Sequence, residues 1–194
     1  MKYIKHKSYE EYKSIQEHTN KAKIHNRWVH PGNVEDIKKY CTENNIEVEN
    51  VLCHGTRNGA ELNYFKSNFQ GIHIQGTDIS ATAINYPDTI QWDFHDRKEE
   101  WVGKYDIIFT NSWDHAYDFD KALNTWMECL SPNGRLFLDW NTDTSRPFNK
   151  ADCCGASRQE LEKGINRNYE VENVFKIENK YKLEAYMVVV KNKA

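Results

Sequence analysis

The chain has 194 residues, of which 39% are hydrophobic and 28% charged, and its net charge is −3. That length suits one domain, and a net negative charge disfavours a chain dominated by nucleic-acid binding. The mean hydropathy of −0.87 is low, yet an aromatic share of 13% argues against disorder, so the apolar residues must be gathered in short segments.

Five cysteines (Cys41, Cys53, Cys129, Cys153 and Cys154) cannot all pair within one chain, which favours free thiols and a reducing, cytoplasmic setting. The opening MKYIKHKSYEEYK lacks the apolar stretch of a signal peptide, and no apolar run is long enough to span a membrane. Charge is unevenly spread. Residues 1–40 hold nine Lys/Arg and five Asp/Glu, and the remainder holds 17 and 24. The basic head reads as a solvated helical surface, with Lys21, Lys23 and Arg27 available to an acidic substrate.

Residues 9–25 read as a weakly amphipathic helix through Tyr9, Tyr12, Ile15 and Ile24. His30-Pro31-Gly32 breaks it. Asn33 is the expected N-cap of a second helix ending near Glu43, with Glu35 and Asp36 in its first turn. From residue 50 short apolar runs of strand length recur, at 51–53, 72–77, 89–92, 105–110 and 135–140. Helical stretches are expected between them at 59–69, 80–86, 96–101 (one turn at most) and 118–130. In the last of these, Leu123, Trp126, Met127 and Leu130 form an apolar stripe suited to core packing. Gly134, after Ser131-Pro132-Asn133, marks a tight turn into the fifth strand. Residues 157–167 read as a helix. Runs 171–178 and 183–191 flank Asn179-Lys180 as a hairpin, and Val188-Val189-Val190 lacks alternation, as in a strand buried on both faces. Strands alternating with helices predict a mostly parallel α/β sheet that finishes in an antiparallel pair.

The sharpest site is the first strand-to-helix turn, Cys53-His54-Gly55-Thr56-Arg57-Asn58-Gly59. Glycines let a backbone approach a ligand closely, and the helix N-terminus that follows offers free N–H groups. Asp78 comes 19 residues after Gly59 and closes the second strand. That spacing suits a carboxylate accepting both hydroxyls of a ribose. Cys53, Asp78, Asp93, Asn111 and Asp139 all fall at strand carboxyl ends, where open α/β sheets bind ligands.

Residues 50–140 resemble a class I S-adenosylmethionine-dependent methyltransferase. More narrowly, "HGTRNGAE", "GTDIS", "TIQWDFHD" and "NSWDHAYD" resemble a small subgroup with an HGTRNG-type glycine loop. The family's loop reads acid-x-Gly-x-Gly-x-Gly. Here Gly55 and Gly59 stand at the first and third glycines, Arg57 at the second and Cys53 at the acid. The resemblance implies a Rossmann-like seven-stranded sheet ending in an antiparallel hairpin, with helices on both faces. Residues 46–194 would form that domain, and residues 1–45 a helical cap within it. The implied cofactor is S-adenosylmethionine, leaving as S-adenosylhomocysteine. His54, Gly55, Thr56, Arg57 and Gly59 would border its methionine end, with Arg57 pairing its carboxylate. Asp78 and Ile79 would hold ribose and one adenine face. Asp93 and Phe94 would read the adenine amine and pack on its ring. Asn111 and Ser112 would lie where donor and acceptor meet. Trp28 and His30 would close over the cofactor.

Asp114 and His115 are the catalytic candidates. Methyl transfer needs positioned reactants and sometimes a base. A histidine such as His115 can serve as that base, and Asp114 can orient it or hold a substrate hydroxyl. Trp92, Phe94, Trp113, Tyr117 and Trp140 cluster near strand ends, where a ring-bearing cofactor would need aromatic walls. The other histidines (His6, His18, His25, His30, His73 and His95) show no ligand spacing. No metal is expected, because Trp140 separates Asp139 from Asn141 and the cysteines lack paired spacing. The loop 141–156 is long enough to act as a substrate lid.

The expected function is methyl transfer to a small molecule or sugar-like metabolite, on oxygen rather than nitrogen. Nucleic acid is not an expected partner, because Asn111-Ser112-Trp113-Asp114 lacks the proline pair of base-flipping amino-methyltransferases. The glycine pattern at 54–59 also does not suit a dehydrogenase. The alternative is a non-catalytic Rossmann-like binding protein with lost or weakened cofactor binding, suggested by Cys53 and Arg57.

Overall fold

The computed structural model describes residues 1–179 and 181–193. Of the expected hairpin turn, Lys180 lies outside them. In chain order the elements are β1 (Lys2–Tyr3), α1 (Tyr9–Ala22), α2 (Pro31–Glu43), β2 (Asn50–His54), α3 (Ala60–Asn68), β3 (His73–Asp78) and β4 (Thr89–Gln91). There follow β5 (Tyr105–Thr110), α4 (Phe119–Cys129), β6 (Leu130–Asn141), β7 (Cys154–Gly155), α5 (Arg158–Ile165), β8 (Glu170–Lys176) and β9 (Ala185–Lys191).

Seven strands form one sheet in the order β4-β3-β2-β5-β6-β9-β8. The pairs from β4 through β6 are parallel, and β9 runs antiparallel to both of its neighbours. The expected mostly parallel sheet with a closing hairpin is therefore what the chain forms. β1 pairs separately with β7, which ties Lys2 and Tyr3 to the 141–156 loop.

Period-two alternation divides the apolar residues between two cores. Leu52, Ile108, Leu136, Leu138 and Val188 face one side, packed with residues of α4 and α5. Val51, Cys53, Ile107, Phe109, Phe137 and Val189 face the other, packed with α2 and α3. Helices thus cover both faces, which is why the strands read as continuous apolar runs. The α4 stripe of Leu123, Trp126 and Met127 lies in the first core, as its spacing predicts.

Several local expectations are corrected. α1 ends at Ala22, before Ile24, and its buried stripe is Tyr12, Gln16 and Asn20. His30, not Asn33, caps α2: its ring accepts from the Gly32 N–H, and Pro31 takes the first turn, where a missing N–H costs nothing. The stretch at 80–86 is a 3₁₀ helix, Ala81–Asn85. Gly134 marks a bulge rather than a turn before a strand, because β6 runs unbroken from Leu130. A Cβ there would lie 2.5 Å from the Tyr105 carbonyl oxygen, so the two strands can approach only at glycine. All five cysteines are buried free thiols. No described helix is long and apolar enough to cross a membrane.

Sheet order reverses at β2, with β3 on one side and β5 on the other. The strand carboxyl ends diverge there and leave a crevice.

Candidate functional site

The turn from β2 into α3 is built by three residues in the left-handed region: Gly55, Arg57 and Gly59, with φ of 73°, 48° and 66°. Gly55 and Thr56 donate their N–H groups to the Thr77 carbonyl at 2.8 and 2.9 Å. A Cβ on Gly55 would fall 2.5 Å from Ser112 Oγ, so glycine lets the β2 turn close on the turn after β5. Arg57, at the expected second glycine, adopts the backbone that glycine favours, at a cost of about 1 kcal/mol. Its N–H donates to Asp78 Oδ2 at 2.9 Å, which helps offset that cost.

Beside this turn lies a cleft of about 500 Å³, lined in part by Arg57, Asp78, Ile79, Asp93, Phe94 and α1. Asp78 is buried and accepts from Asn20 Nδ2 (2.8 Å), Arg57 N–H (2.9 Å) and Ser80 N–H (2.8 Å). Burial still raises its carboxyl above the usual range. Asp93 accepts from the Tyr9 hydroxyl and from the His95 N–H and ring Nδ1. Burial alone would raise Asp93, but the bonds from His95 and Tyr9 outweigh it and hold it low. A carboxylate offers about four acceptor positions, so each acid keeps room for one more donor.

A wider cleft of about 770 Å³ adjoins the first, and Arg57, Ser112 and His115 line both. Its acids are Asp114, Asp139, Asp143 and Asp152. His115 Nδ1 lies 2.9 Å from the Ala151 carbonyl. A carbonyl only accepts, so Nδ1 donates, and in the neutral ring the lone pair sits on Nε2, 3.8 Å from Asp114 Oδ1. Burial raises Asp114. Burial and the neighbouring Asp114 push Asp139 up to about 7. Asp114 Oδ1, Asp139 Oδ1 and Arg57 Nε are buried without a partner.

Among the described residues, Asp114, His115 and Asp152 bring one ligand atom each within 4.8 Å of the others, close enough for a metal ion. However, the two carboxylates approach different ring nitrogens, and Nδ1 is already engaged. That arrangement orients an imidazole more readily than it ligates an ion.

Most of the candidate residues meet at these clefts, Asn111 in the wider one. Others do not. His54 is turned into the core, with Nδ1 2.8 Å from Thr77 Oγ1 and its ring on Trp126. Burial drives its pKa down to about 3. Thr56 is buried and Gly59 caps α3 through its backbone, so neither lines the two clefts. Cys53 packs in the core, where burial raises its thiol well above the usual range. Of the expected aromatic walls only Phe94 lines a cleft. Trp113 and Trp140 are core residues bonded to the carbonyls of Asp139 and Ala156, Trp92 packs on Trp101, and Tyr117 stacks on His95.

Other residues of these clefts escaped the sequence reading. Tyr12, Gln16 and Asn20 of α1 wall the first cleft. They recur at a spacing of four, but two of the three are polar, so they form no apolar stripe. Glu61, on the first turn of α3, is buried beside Arg57, and burial pushes it up to about 8. It lines a narrower recess with Gly55, Arg57 and Asn111. Asp143 and Asp152 come from the 141–156 loop, whose Ala151 carbonyl accepts from both Gln16 and His115.

No family model matches the sequence, and no curated protein matches it either. Solved structures do match in shape. A Burkholderia thailandensis 1,6-didemethyltoxoflavin-N1-methyltransferase, bound to 1,6-didemethyltoxoflavin and S-adenosylhomocysteine, gives a TM-score of 0.72 at 12% identity, over 98% of this chain and 92% of that one. A Clostridium acetobutylicum S-adenosylmethionine-dependent methyltransferase gives 0.67 at 13% identity, over 83% and 91%. A TehB-like methyltransferase from Corynebacterium glutamicum gives 0.57 at 17% identity, over 84% and 98%. At such identities the likeness is one of fold. The chain has the class I methyltransferase fold.

Proposed function

We propose that the chain is an S-adenosylmethionine-dependent methyltransferase acting on a small molecule, with oxygen as the acceptor atom. The observation that carries this reading is the pair of adjoining clefts at the sheet's switch point, joined through Arg57, Ser112 and His115. One cleft suits a nucleoside and the other an acceptor.

The residues present fit the cofactor. Asp78 and Asp93 keep acceptor capacity for ribose and adenine donors, and Ile79 and Phe94 supply apolar surface between them. Arg57 has a buried Nε without a partner, which a carboxylate would satisfy. Glu61 stands near Arg57 and would ionise to pair a cationic amine, in place of the carboxylate missing at Cys53. S-adenosylmethionine supplies a methyl group on a sulfonium. The chain's own part is to align the acceptor and to manage its proton. His115 Nε2, with its lone pair set by the Nδ1 bond to Ala151, takes the proton released by an acceptor hydroxyl. Asp114 stabilises the imidazolium that results. Residues 1–45 serve as a cap on the domain formed by 46–194, with α1 over the cofactor cleft. The protein would work in the cytoplasm.

Titrating the folded protein with S-adenosylmethionine and S-adenosylhomocysteine tests this. Micromolar binding of both is expected, and absence of binding overturns it. A second reading, a binding protein without turnover, draws on the Asn20 amide already seated on Asp78. Under that reading ligand binds, but no S-adenosylhomocysteine forms from S-adenosylmethionine with any acceptor.

A further inference from the structure

The wider cleft has a chemistry of its own. Asp139 is only 4% exposed, and its Oδ1 has no hydrogen-bond partner. Asp114 Oδ1 is orphaned in the same way, and both residues line the same space. A buried acceptor left unpaired is costly, and such atoms mark places where something else supplies the donor. The two carboxylates repel each other, so a cationic donor would satisfy both orphaned atoms and offset that repulsion. Asp143 and Asp152 add to that field, and Lys23, Arg57 and His115 are the basic groups facing it.

The same cleft also has an aromatic lining. Trp28 and Tyr181 line this cleft, with ring centroids 5.1 Å apart and planes tilted by 44°. The Lys23 ammonium already lies 6.0 Å from the Trp28 ring centroid, so a cation is accommodated there. Acids with orphaned buried oxygens and aromatic rings lining one cleft suit an organic ammonium, which offers donors, charge and apolar surface together. A bare metal ion would leave the aromatic rings unused. A neutral polyol would satisfy the orphaned oxygens but add no charge to offset the repulsion between the two acids.

We propose that the wider cleft recognises a protonated amine on its ligand, held by the Asp139 and Asp114 carboxylates and packed against the Trp28 and Tyr181 rings. The amine is a handle for recognition. That this ligand is the methyl acceptor rests on the function proposed above, but the recognition itself does not.

The test is a calorimetric titration at pH 8 of the full chain, alone and saturated with S-adenosylhomocysteine. The probes are three amine–alcohol pairs: tyramine and tyrosol, benzylamine and benzyl alcohol, cyclohexylamine and cyclohexanol. The amine of at least one pair should bind tenfold or more tightly than its alcohol. Asp139→Asn and Asp114→Asn should each cut that preference at least fivefold, with thermal melting confirming that both fold. Equal affinities within every pair overturn the proposal. So does a preference that survives in both variants. Stoichiometric magnesium binding that Asp139→Asn abolishes, with no amine preference, makes the cleft a metal site instead. If amines bind selectively but S-adenosylhomocysteine does not bind at all, the methyltransferase reading fails and amine recognition stands.

Discussion

The Asn20 side-chain amide lies 2.8 Å from Asp78 Oδ2 and fastens α1 to the end of β3 across the first cleft. The covering helix is therefore tied to the carboxylate assigned above to ribose. Removing the amide by Asn20→Ala loses a charge-assisted bond of about 1.5 kcal/mol. The amides of α1 should then exchange with deuterium roughly tenfold faster. S-adenosylhomocysteine should also associate and dissociate faster, as stopped-flow tryptophan fluorescence would report. Unchanged exchange in α1 would show that the contact does not latch the helix.

Asp78 itself gathers three donors from three parts of the chain. Asp78→Ala should weaken S-adenosylhomocysteine binding more than tenfold, on the order of 1.5–3 kcal/mol for a lost charge-assisted bond. Calorimetry with the Asp78→Asn variant separates charge from shape. An unaltered affinity in the alanine variant would remove Asp78 from the ligand site.

Arg57 combines a strained backbone with a buried guanidinium. Arg57→Gly should therefore leave the melting temperature unchanged or slightly higher, while cofactor affinity falls about tenfold from loss of the anion contact. A drop in both would mean that the side chain acts in folding.

His115→Gln keeps a hydrogen-bonding side chain but no titrating nitrogen. Once an acceptor is identified, turnover should fall by roughly a hundredfold or more. S-adenosylhomocysteine affinity should stay within a few-fold.

Glu61 makes stability depend on pH. Its folded-state pKa is raised to about 8 by burial, above an unfolded value near 4.5. Near pH 4 both states hold the proton and Glu61 is neutral in its effect. As pH rises the unfolded state loses its proton first, so stability falls progressively until the folded state also ionises near pH 8. Glu61→Gln should thus melt at about the same temperature as the parent at pH 4 and several degrees higher at pH 8. The expected difference is on the order of 3 kcal/mol. A constant difference across that range would contradict the assignment.

The sheet was legible because its central strands are buried on both faces, and the chain cannot hide runs such as 105–110 and 136–140. The ligand-facing ends were legible for a related reason: Asp78, Asp93 and Asn111 interrupt those runs where the strands stop. What escaped was produced by tertiary contact. α1 turns a partly polar stripe inward because its partners are Asp78 and the Ala151 carbonyl, which need donors rather than carbon. Trp113 and Trp140 looked like cleft walls, yet each sends its indole N–H to a backbone carbonyl within the core. Sequence proximity to a strand end does not say which way a large ring will swing.

The buried thiols give this chain a built-in set of clocks. Each of the five can react with a thiol reagent only when the structure around it opens. Cys41 reports on α2, Cys53 on the β2 turn, Cys129 on the end of α4, and Cys153 and Cys154 on the loop that carries Ala151. Mass-resolved labelling would therefore time each region separately in the unaltered protein. It would show whether ligand slows the opening of the β2 turn and the Ala151 loop together, as one closing unit, or separately.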